Sequence, residues 1–459
     1  FDIYSQFQSN SKIDSIFIFC QEKNINEQHL PNIYFDYTSL CSSVERRLHI
    51  VFKQLSLFKI IDFNHPSQIL LWYRLLRDSL LSIETETAKQ DLLEYSRLYY
   101  ENDPIRLKQI DDFERTFTPS DAIRWYTNNY FPFQLITKAL RCEDVEVLYH
   151  LRYFLIHISE QLTRQQLFES NFYVYCGLIV SADDLDRLKL SVNQYVSTNG
   201  FLSTNRSRHV AQMFNANVLF EILLDSEKQI YADITSFSLL PDEQEILFDL
   251  GTIFQIADIR TDEHLCIISM IAIDQIESIK NWSIVKQQSN FEHILSFGKY
   301  LIQIGQYENS ISYLQNILHR TKLYEYERYY VLRELARSFI KIEEYDLARD
   351  YAHDAYQIHE YCLHNEIIQS YLLLGEIYCY QHDYKQSMKY YERILNENTI
   401  ENREEKMKYH INMATIYFSS NNLSDGLEHS HQLIEMLEQS DEIDLMMISN
   451  AHSIIGKGY

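Results

Sequence analysis

A chain of 459 residues has room for two or three domains, and with 46% apolar and 23% charged residues it reads as a packed protein rather than a disordered one. Nine glycines and six prolines argue against glycine-rich phosphate loops and a turn-dense all-β fold, and favour long helices. Sixty-five acidic against 41 basic side chains, a net charge of −24, repel nucleic acid and anionic membranes and leave neutral or basic protein surfaces as the expected partners.

Two strands are expected near the start, at Ile13–Cys20 and Asn32–Tyr37. They cannot make a core alone, so residues 1–45 read as the tail of an upstream α/β domain and the chain as a piece of a longer one at both ends. From Val44 to about Arg164 the period is helical. Apolar residues recur three and four apart in Leu48, Val51, Phe52, Leu55 and Phe58, and in Leu70, Leu71, Tyr73, Leu75 and Leu76. Thr118-Pro119-Ser120-Asp121 reads as a helix start with Ser120 as N-cap. The pattern then changes. Phe172–Tyr175, Gly200–Thr204, Val218–Leu224, Ile230–Ile234, Glu245–Phe248, Thr252–Ile256 and Cys266–Ile273 are short apolar runs between polar turns, predicting strands, with one helix at Ala182–Leu190. Helices followed by strands make residues 46–288 an α+β domain.

From 289 to 459 the period is helical again, and it repeats. Gly298, Ala336, Gly375, Ala414 and Gly456 occupy one small-residue position, followed three residues on by Leu301, Phe339, Tyr378, Tyr417 and Tyr459. Tyr307, Tyr345, Tyr384 and Leu423 lie nine residues beyond the small position, and Ser310, Ala348, Ser387 and Gly426 twelve beyond it. Small residues let two helices approach and rings fill the space beside them, so an array of stacked helix pairs is predicted. The pattern resembles tetratricopeptide (TPR) repeats of the long-period kinesin-light-chain form, four repeats and the start of a fifth. The resemblance implies an all-α TPR solenoid whose groove takes a peptide or helix.

Seven cysteines are scattered without a CxxC pair, which reads as free thiols in a reducing, cytoplasmic setting and gives no zinc ribbon. His353, His359 and His364 are not spaced to share a helix face, so no metal is expected there. The best candidate for a membrane helix, Val147 to Ile158, is too short and is broken by Arg152, so no membrane span is expected.

Three segments carry the chemistry. They are Tyr173-Val174-Tyr175-Cys176-Gly177, Gly200-Phe201-Leu202-Ser203-Thr204-Asn205, and Asp242-Glu243-Gln244-Glu245-Ile246-Leu247-Phe248 continued by Asp249-Leu250-Gly251-Thr252-Ile253-Phe254-Gln255-Ile256. Glu243 and Glu245 are two apart before an apolar strand, so on extended backbone both carboxylates project to one side. Such a pair suits chemistry in which one group stabilises developing positive charge and the other handles a proton; the plain alternative is a solvated turn.

Taken together the three segments resemble the arginine-specific, R-S-E class of mono-ADP-ribosyltransferases. Ser203 and Thr204 match its Phe-x-Ser-Thr-Ser segment, with Asn205 in place of the last Ser, and Glu243, Glu245, Gly251, Phe254 and Ile256 match its Glu-x-Glu strand in register. Ala122-Ile123-Arg124-Trp125-Tyr126-Thr127 and Ala139-Leu140-Arg141 are similar upstream, so the likeness spans roughly residues 46–280. It implies a mixed-sheet domain with N-terminal helices, NAD as co-substrate without a metal, and ADP-ribose transfer onto arginine of a protein. Glu245 is then the catalytic residue at the nicotinamide ribose, Glu243 serves the acceptor guanidinium, and Ser203 positions NAD with support from Thr204. Phe201 is placed at the nicotinamide pocket or in the sheet, and bare Gly177 lets the cofactor approach the backbone.

Cys176 departs from the pattern, which has Arg there for the cofactor's phosphate and ribose. Losing one charge-assisted contact of ~1.5–3 kcal/mol would weaken NAD binding roughly ten- to hundredfold. Either Arg206 or Arg208 supplies the charge from another direction, or the chain is a TPR adaptor with a degenerate transferase domain. An NAD glycohydrolase is a third alternative, disfavoured by Glu243.

Overall fold

The computed structural model describes residues 18–19, 33–34, 58–60, 66–83, 86–128, 130–167, 169, 171–212, 216–224, 231–237, 244–262, 265–273, 289–358, 364–396 and 403–438. They form two compact units, one of residues 1–77 with 88–282 and one of residues 78–87 with 283–459.

The first unit opens with helices α1 (Pro66–Ser82), α2 (Ala88–Tyr99), α3 (Pro104–Thr116), α4 (Ala122–Thr127), α5 (Phe131–Cys142), α6 (Val145–His150) and α7 (Arg152–Arg164); the last residues of α1 group with the second unit. Local chemistry starts some of them. Asp103 accepts from the backbone N–H of Ile105 and Arg106 with Pro104 at the first turn of α3, and Asp144 accepts from Val147 at the start of α6. Ser120 does not cap a helix as the sequence suggests. Pro119–Asp121 forms a 3-10 turn, α4 starts at Ala122, and the Ser120 hydroxyl contacts Thr118 instead. The helices close on an aromatic centre in which Phe113 stacks on Phe117 and meets Trp125 and Phe131 edge-on. Beside it Arg152, fully buried, pairs with Asp91 at 2.5 Å and rests on the Tyr149 ring.

Three strands precede these helices, β1 (Ile18–Phe19), β2 (Ile33–Tyr34) and β3 (Phe58–Ile60), and eight follow them: β4 (Phe172–Leu178), β5 (Tyr195–Thr198), β6 (Leu202–Asn205), β7 (Val218–Leu224), β8 (Tyr231–Asp233), β9 (Glu245–Phe248), β10 (Ile253–Asp262) and β11 (Leu265–Ile273), with α8 (Ala182–Lys189) and α9 (Arg208–Gln212) among them. Among the described residues β1 and β2 form a parallel pair and the other nine strands one sheet in the order β3-β5-β10-β11-β7-β4-β6-β9-β8. β11 and β7 run parallel and the remaining neighbours antiparallel, so the sheet is mixed. Phe58, expected on a helix, lies instead in β3 and pairs with Thr198, because β5 presents an edge for it. Leu48, Val51, Phe52 and Leu55 lie outside the described residues.

One face of the sheet is the apolar core. Val174, Cys176, Leu202, Phe220, Ile222, Ile246, Phe248, Ile268 and Met270 pack together there. The other face carries a row set by register: Glu245 opposes Asn205, Asn205 opposes Tyr175, Tyr175 opposes Glu221, and Glu221 opposes Ser269. Strand alternation therefore puts Ser203, Asn205, Glu245 and Glu221 on one side and Cys176 and Thr204 on the other.

The second unit is built of four helical hairpins among its described residues: α10 (Asn290–Gln303) with α11 (Tyr307–Arg320), α12 (Glu325–Lys341) with α13 (Tyr345–Gln357), α14 (His364–Tyr380) with α15 (Tyr384–Asn396), and α16 (Arg403–Ser419) with α17 (Leu423–Glu438). Each turn is the same. Gly305, Glu343, His382 and Asn421 take positive φ of 77°, 63°, 61° and 62°. The next residue in each case, Gln306, Glu344, Asp383 or Asn422, donates its N–H five residues back, to Leu301, Phe339, Tyr378 or Tyr417. The small positions pack as predicted: a Cβ on Gly375 would meet the Tyr391 ring at 2.6 Å, and the Ser310 and Ser387 hydroxyls donate to the carbonyls of Gly298 and Gly375. Gly456 and Tyr459 lie outside the described residues. The architecture is thus a mixed-sheet α+β domain with helices before it, followed by an all-α repeat array.

Candidate active site

Strand β9 is held in place by the turn that follows it. The Asp249 carboxylate, almost fully buried, receives Arg77 at 2.6 Å, the Ser159 hydroxyl at 2.9 Å and the Leu250 N–H at 2.8 Å. Gly251 then turns with φ +74°, where a side chain would meet the backbone N of Arg74 at 2.9 Å. These contacts fix where β9 begins to pair with β6.

That pairing brings two of the predicted residues together. Ser203 Oγ donates to Glu245 Oε1 at 2.5 Å. Ser203 is exposed and Glu245 half-buried, so the pair opens to solvent. Phe201 is buried and meets the Tyr126 ring of α4 edge-on, with centroids 5.3 Å apart. Burial raises the Tyr126 phenol pKa; a hydrogen bond with Thr137 and the charge of Arg141 oppose that, while the Glu245 charge adds to it. Tyr126 thus feels the charges of both Arg141 and Glu245. Sequence reasoning placed Tyr126 and Arg141 only within a similar helix region, and no local pattern singles out either as facing the strand.

Glu243 lies outside the described residues; its neighbour Gln244 has φ +49°, so the chain leaves extended geometry immediately before Glu245. Two other predicted contacts turn away from the pair. Thr204 is on the core face, its hydroxyl spent on the Ile246 carbonyl at 3.0 Å, where it secures the β6–β9 pairing. Cys176 is also on the core face, and burial pushes its thiol up to about 12, so it is an un-ionised apolar-packed group. Gly177 has a packing reason for being bare: a Cβ there would lie 2.0 Å from the Ala211 carbonyl oxygen, so it is α9 that approaches the strand closely.

The ladder between β4 and β6 consists of the single pair Tyr175↔Asn205. On the same face Glu221 receives Arg260 at 2.5 Å and lies 3.6 Å from Arg208. Arg206, one residue past β6, pairs instead with Glu169 at 2.8 Å and sits over the Phe172 ring at 4.6 Å, a ring that packs against the core-face cluster. A carboxylate held by a hydroxyl can meet developing positive charge, and the Tyr126 phenol lies within reach of the Glu245 charge. Among the described residues no group of three or more His, Cys, Asp or Glu is arranged to hold a metal ion, and no helix is long and apolar enough to cross a membrane.

Residues 106–280 match the sequence model of the ADP-ribosyltransferase exoenzyme family. Among solved structures, the Clostridium limosum C3 exoenzyme is 15% identical, with 40% of this chain and 95% of that one covered at a TM-score of 0.30. HopU1, an ADP-ribosyltransferase of Pseudomonas syringae pv. Tomato, is 16% identical, with 42% and 99% covered and a TM-score of 0.30. C3stau2 from S. aureus, solved with NAD, is 17% identical, with 35% and 89% covered and a TM-score of 0.29. A search of curated proteins returns no match.

Proposed function

We propose that this chain, which carries an ADP-ribosyltransferase exoenzyme domain, transfers ADP-ribose from NAD onto an arginine of another protein. The domain spans residues 46–288, and residues 289–459 act as TPR repeats that present the target or a scaffold. The observation that carries this reading is the Ser203–Glu245 hydrogen bond on the open face of the sheet. NAD supplies the ADP-ribosyl group and the leaving nicotinamide. Glu245 stabilises the positive charge that develops at the ribose as nicotinamide departs, and Ser203 holds that carboxylate in one orientation. Glu243, two residues before it, serves the incoming guanidinium.

The test is nicotinamide release from NAD. Glu245→Gln keeps the hydrogen bond from Ser203 and removes the charge, so turnover should fall by about a thousandfold, on the order of 4 kcal/mol of lost transition-state stabilisation. NAD binding should persist in that variant. Wild-type protein that turns over no faster than Glu245→Gln would sink the proposal.

The buried Cys176 favours a second reading, a TPR adaptor whose transferase domain has lost its catalytic power. It predicts partner binding by residues 289–459 with no nicotinamide release.

A further inference from the structure

We infer that Arg208 binds the diphosphate of NAD, in place of the guanidinium that position 176 does not provide; the inference rests on the transferase reading above. Cys176 can offer neither charge nor a donor fork, and it faces the apolar core. The diphosphate therefore needs a cation from elsewhere on the face that carries Ser203 and Glu245. Helix α9 lies on that face, because Ala211 packs with Leu219 and Ile267 and its carbonyl sits over Gly177. Arg208 is its first residue.

Arg206, the other candidate, is spent. Its Nη2 donates to Glu169 at 2.8 Å, its Nε is 3.7 Å from Asp233, and its guanidinium lies on the Phe172 ring. Arg208 differs. Its Nε is 3.6 Å from Glu221 Oε1, too long for a hydrogen bond, and among the described residues that buried Nε finds no hydrogen-bond partner. Glu221 is already satisfied by Arg260, which reaches its other oxygen at 2.5 Å and also donates to Ser269. Two guanidinium groups thus share one carboxylate. Asp258 is 64% exposed and lies 3.9 Å from Arg260, where water screens it.

Spacing agrees. Glu245, Asn205, Tyr175 and Glu221 stand in one row on four adjacent strands, so Glu221 is roughly 14 Å from Glu245 at about 4.8 Å per strand. An arginine reaching back along that row from Glu221 covers the distance from the nicotinamide ribose to the diphosphate. Arg208 is 42% exposed, so its fork is accessible.

The test uses the full chain and NAD binding measured by calorimetry, with turnover beside it. Arg208→Gln should weaken NAD binding about ten- to hundredfold, and Arg208→Lys should recover part of that. Inorganic diphosphate should compete with NAD in the wild type and lose that competition in Arg208→Gln. Arg206→Gln should leave NAD affinity within about twofold. Arg208→Gln that melts like the wild type and binds NAD equally well would overturn the inference while leaving the transferase reading intact. If Arg208→Gln does not fold, the diphosphate competition in Arg208→Lys decides: competition unchanged from wild type overturns the inference, and weakened competition supports it. Wild type that binds no NAD overturns both.

Discussion

The sheet unit and the helical unit draw on the same amino acids but solve opposite problems. In the array each hairpin packs against neighbours in sequence, and the stop signal at Gly305, Glu343, His382 and Asn421 recurs with the same i→i−5 hydrogen bond. Three of those four stops are not glycine, so the array tolerates the strain of a left-handed residue one hairpin at a time. In the sheet unit the row from Glu245 through Asn205 and Tyr175 to Glu221 joins four strands that lie far apart in the chain. The contrast teaches that damage should spread in the first unit and stay local in the second.

The largest effect should come from the buried ion pair of the sheet unit. Asp91→Ala leaves the guanidinium of fully buried Arg152 without its carboxylate, and such a loss costs about 3–5 kcal/mol. The melting transition of this unit should fall while that of the array holds. A loss below about 1 kcal/mol would mean that water reaches Arg152.

Glycine to alanine changes measure the same contrast more finely. At Gly177 the new Cβ would lie 2.0 Å from a backbone oxygen, which cannot rotate away, so Gly177→Ala should cost about 3 kcal/mol and displace α9. At Gly375 the clash is with the far end of the Tyr391 ring, which can shift, and about 2 kcal/mol is expected. Equal losses measured by chemical denaturation would erase the distinction between the units.

The same distinction decided what could be read from the sequence. Val218–Leu224 and Glu245–Phe248 are apolar runs with clear ends, and both strands have those bounds. The repeat was legible because a local packing solution is copied at a fixed period. Register is not local. Nothing around Cys176 or Thr204 says which face of the sheet each will take, since that follows from Tyr175↔Asn205 and Thr204↔Ile246, pairings made across the fold. Strand β5, Tyr195–Thr198, carries no strand signal of its own because half of it is Ser and Thr; it is a strand because β3 and β10 flank it. Phe58 shows the complementary case: its apolar spacing fits a helix, and its edge position in the sheet is a tertiary fact. Of the candidate site, Ser203 and Glu245 stand out in the sequence as residue types at a spacing and Arg208 as one of two arginines past the Ser-Thr segment, whereas Glu221 and the approach of Tyr126 emerge only once the strands are aligned.

The smallest effect is a pH dependence confined to the last described hairpin of the array. His410 of α16, 6% exposed, has its Nδ1 2.9 Å from Nδ1 of His429 on α17, with Tyr409 against both rings and Tyr417 stacked on His429. Two imidazoles can share this hydrogen bond only if at least one is neutral. Burial, then the charges of His429 and Lys406, lower His410 from 6.5 to about 4. Burial lowers His429 as well, against the pull of Glu428 and Asp425. The folded state therefore holds both rings neutral, while the unfolded chain takes up protons near 6.5. The stabilisation is complete above that pH and is lost progressively as pH falls from about 6.5 toward 4. A shift of this size sets a ceiling near 3 kcal/mol, and solvent at the edge of the pair reduces the expected loss to about 1–2 kcal/mol. Melting curves at pH 7 and pH 5 should show the array's transition moving down, and His410→Gln should abolish most of the difference. A pH response that survives this change would assign the titration to another group, such as half-buried His353 beside Tyr378, whose pKa is lowered by burial and by Arg349.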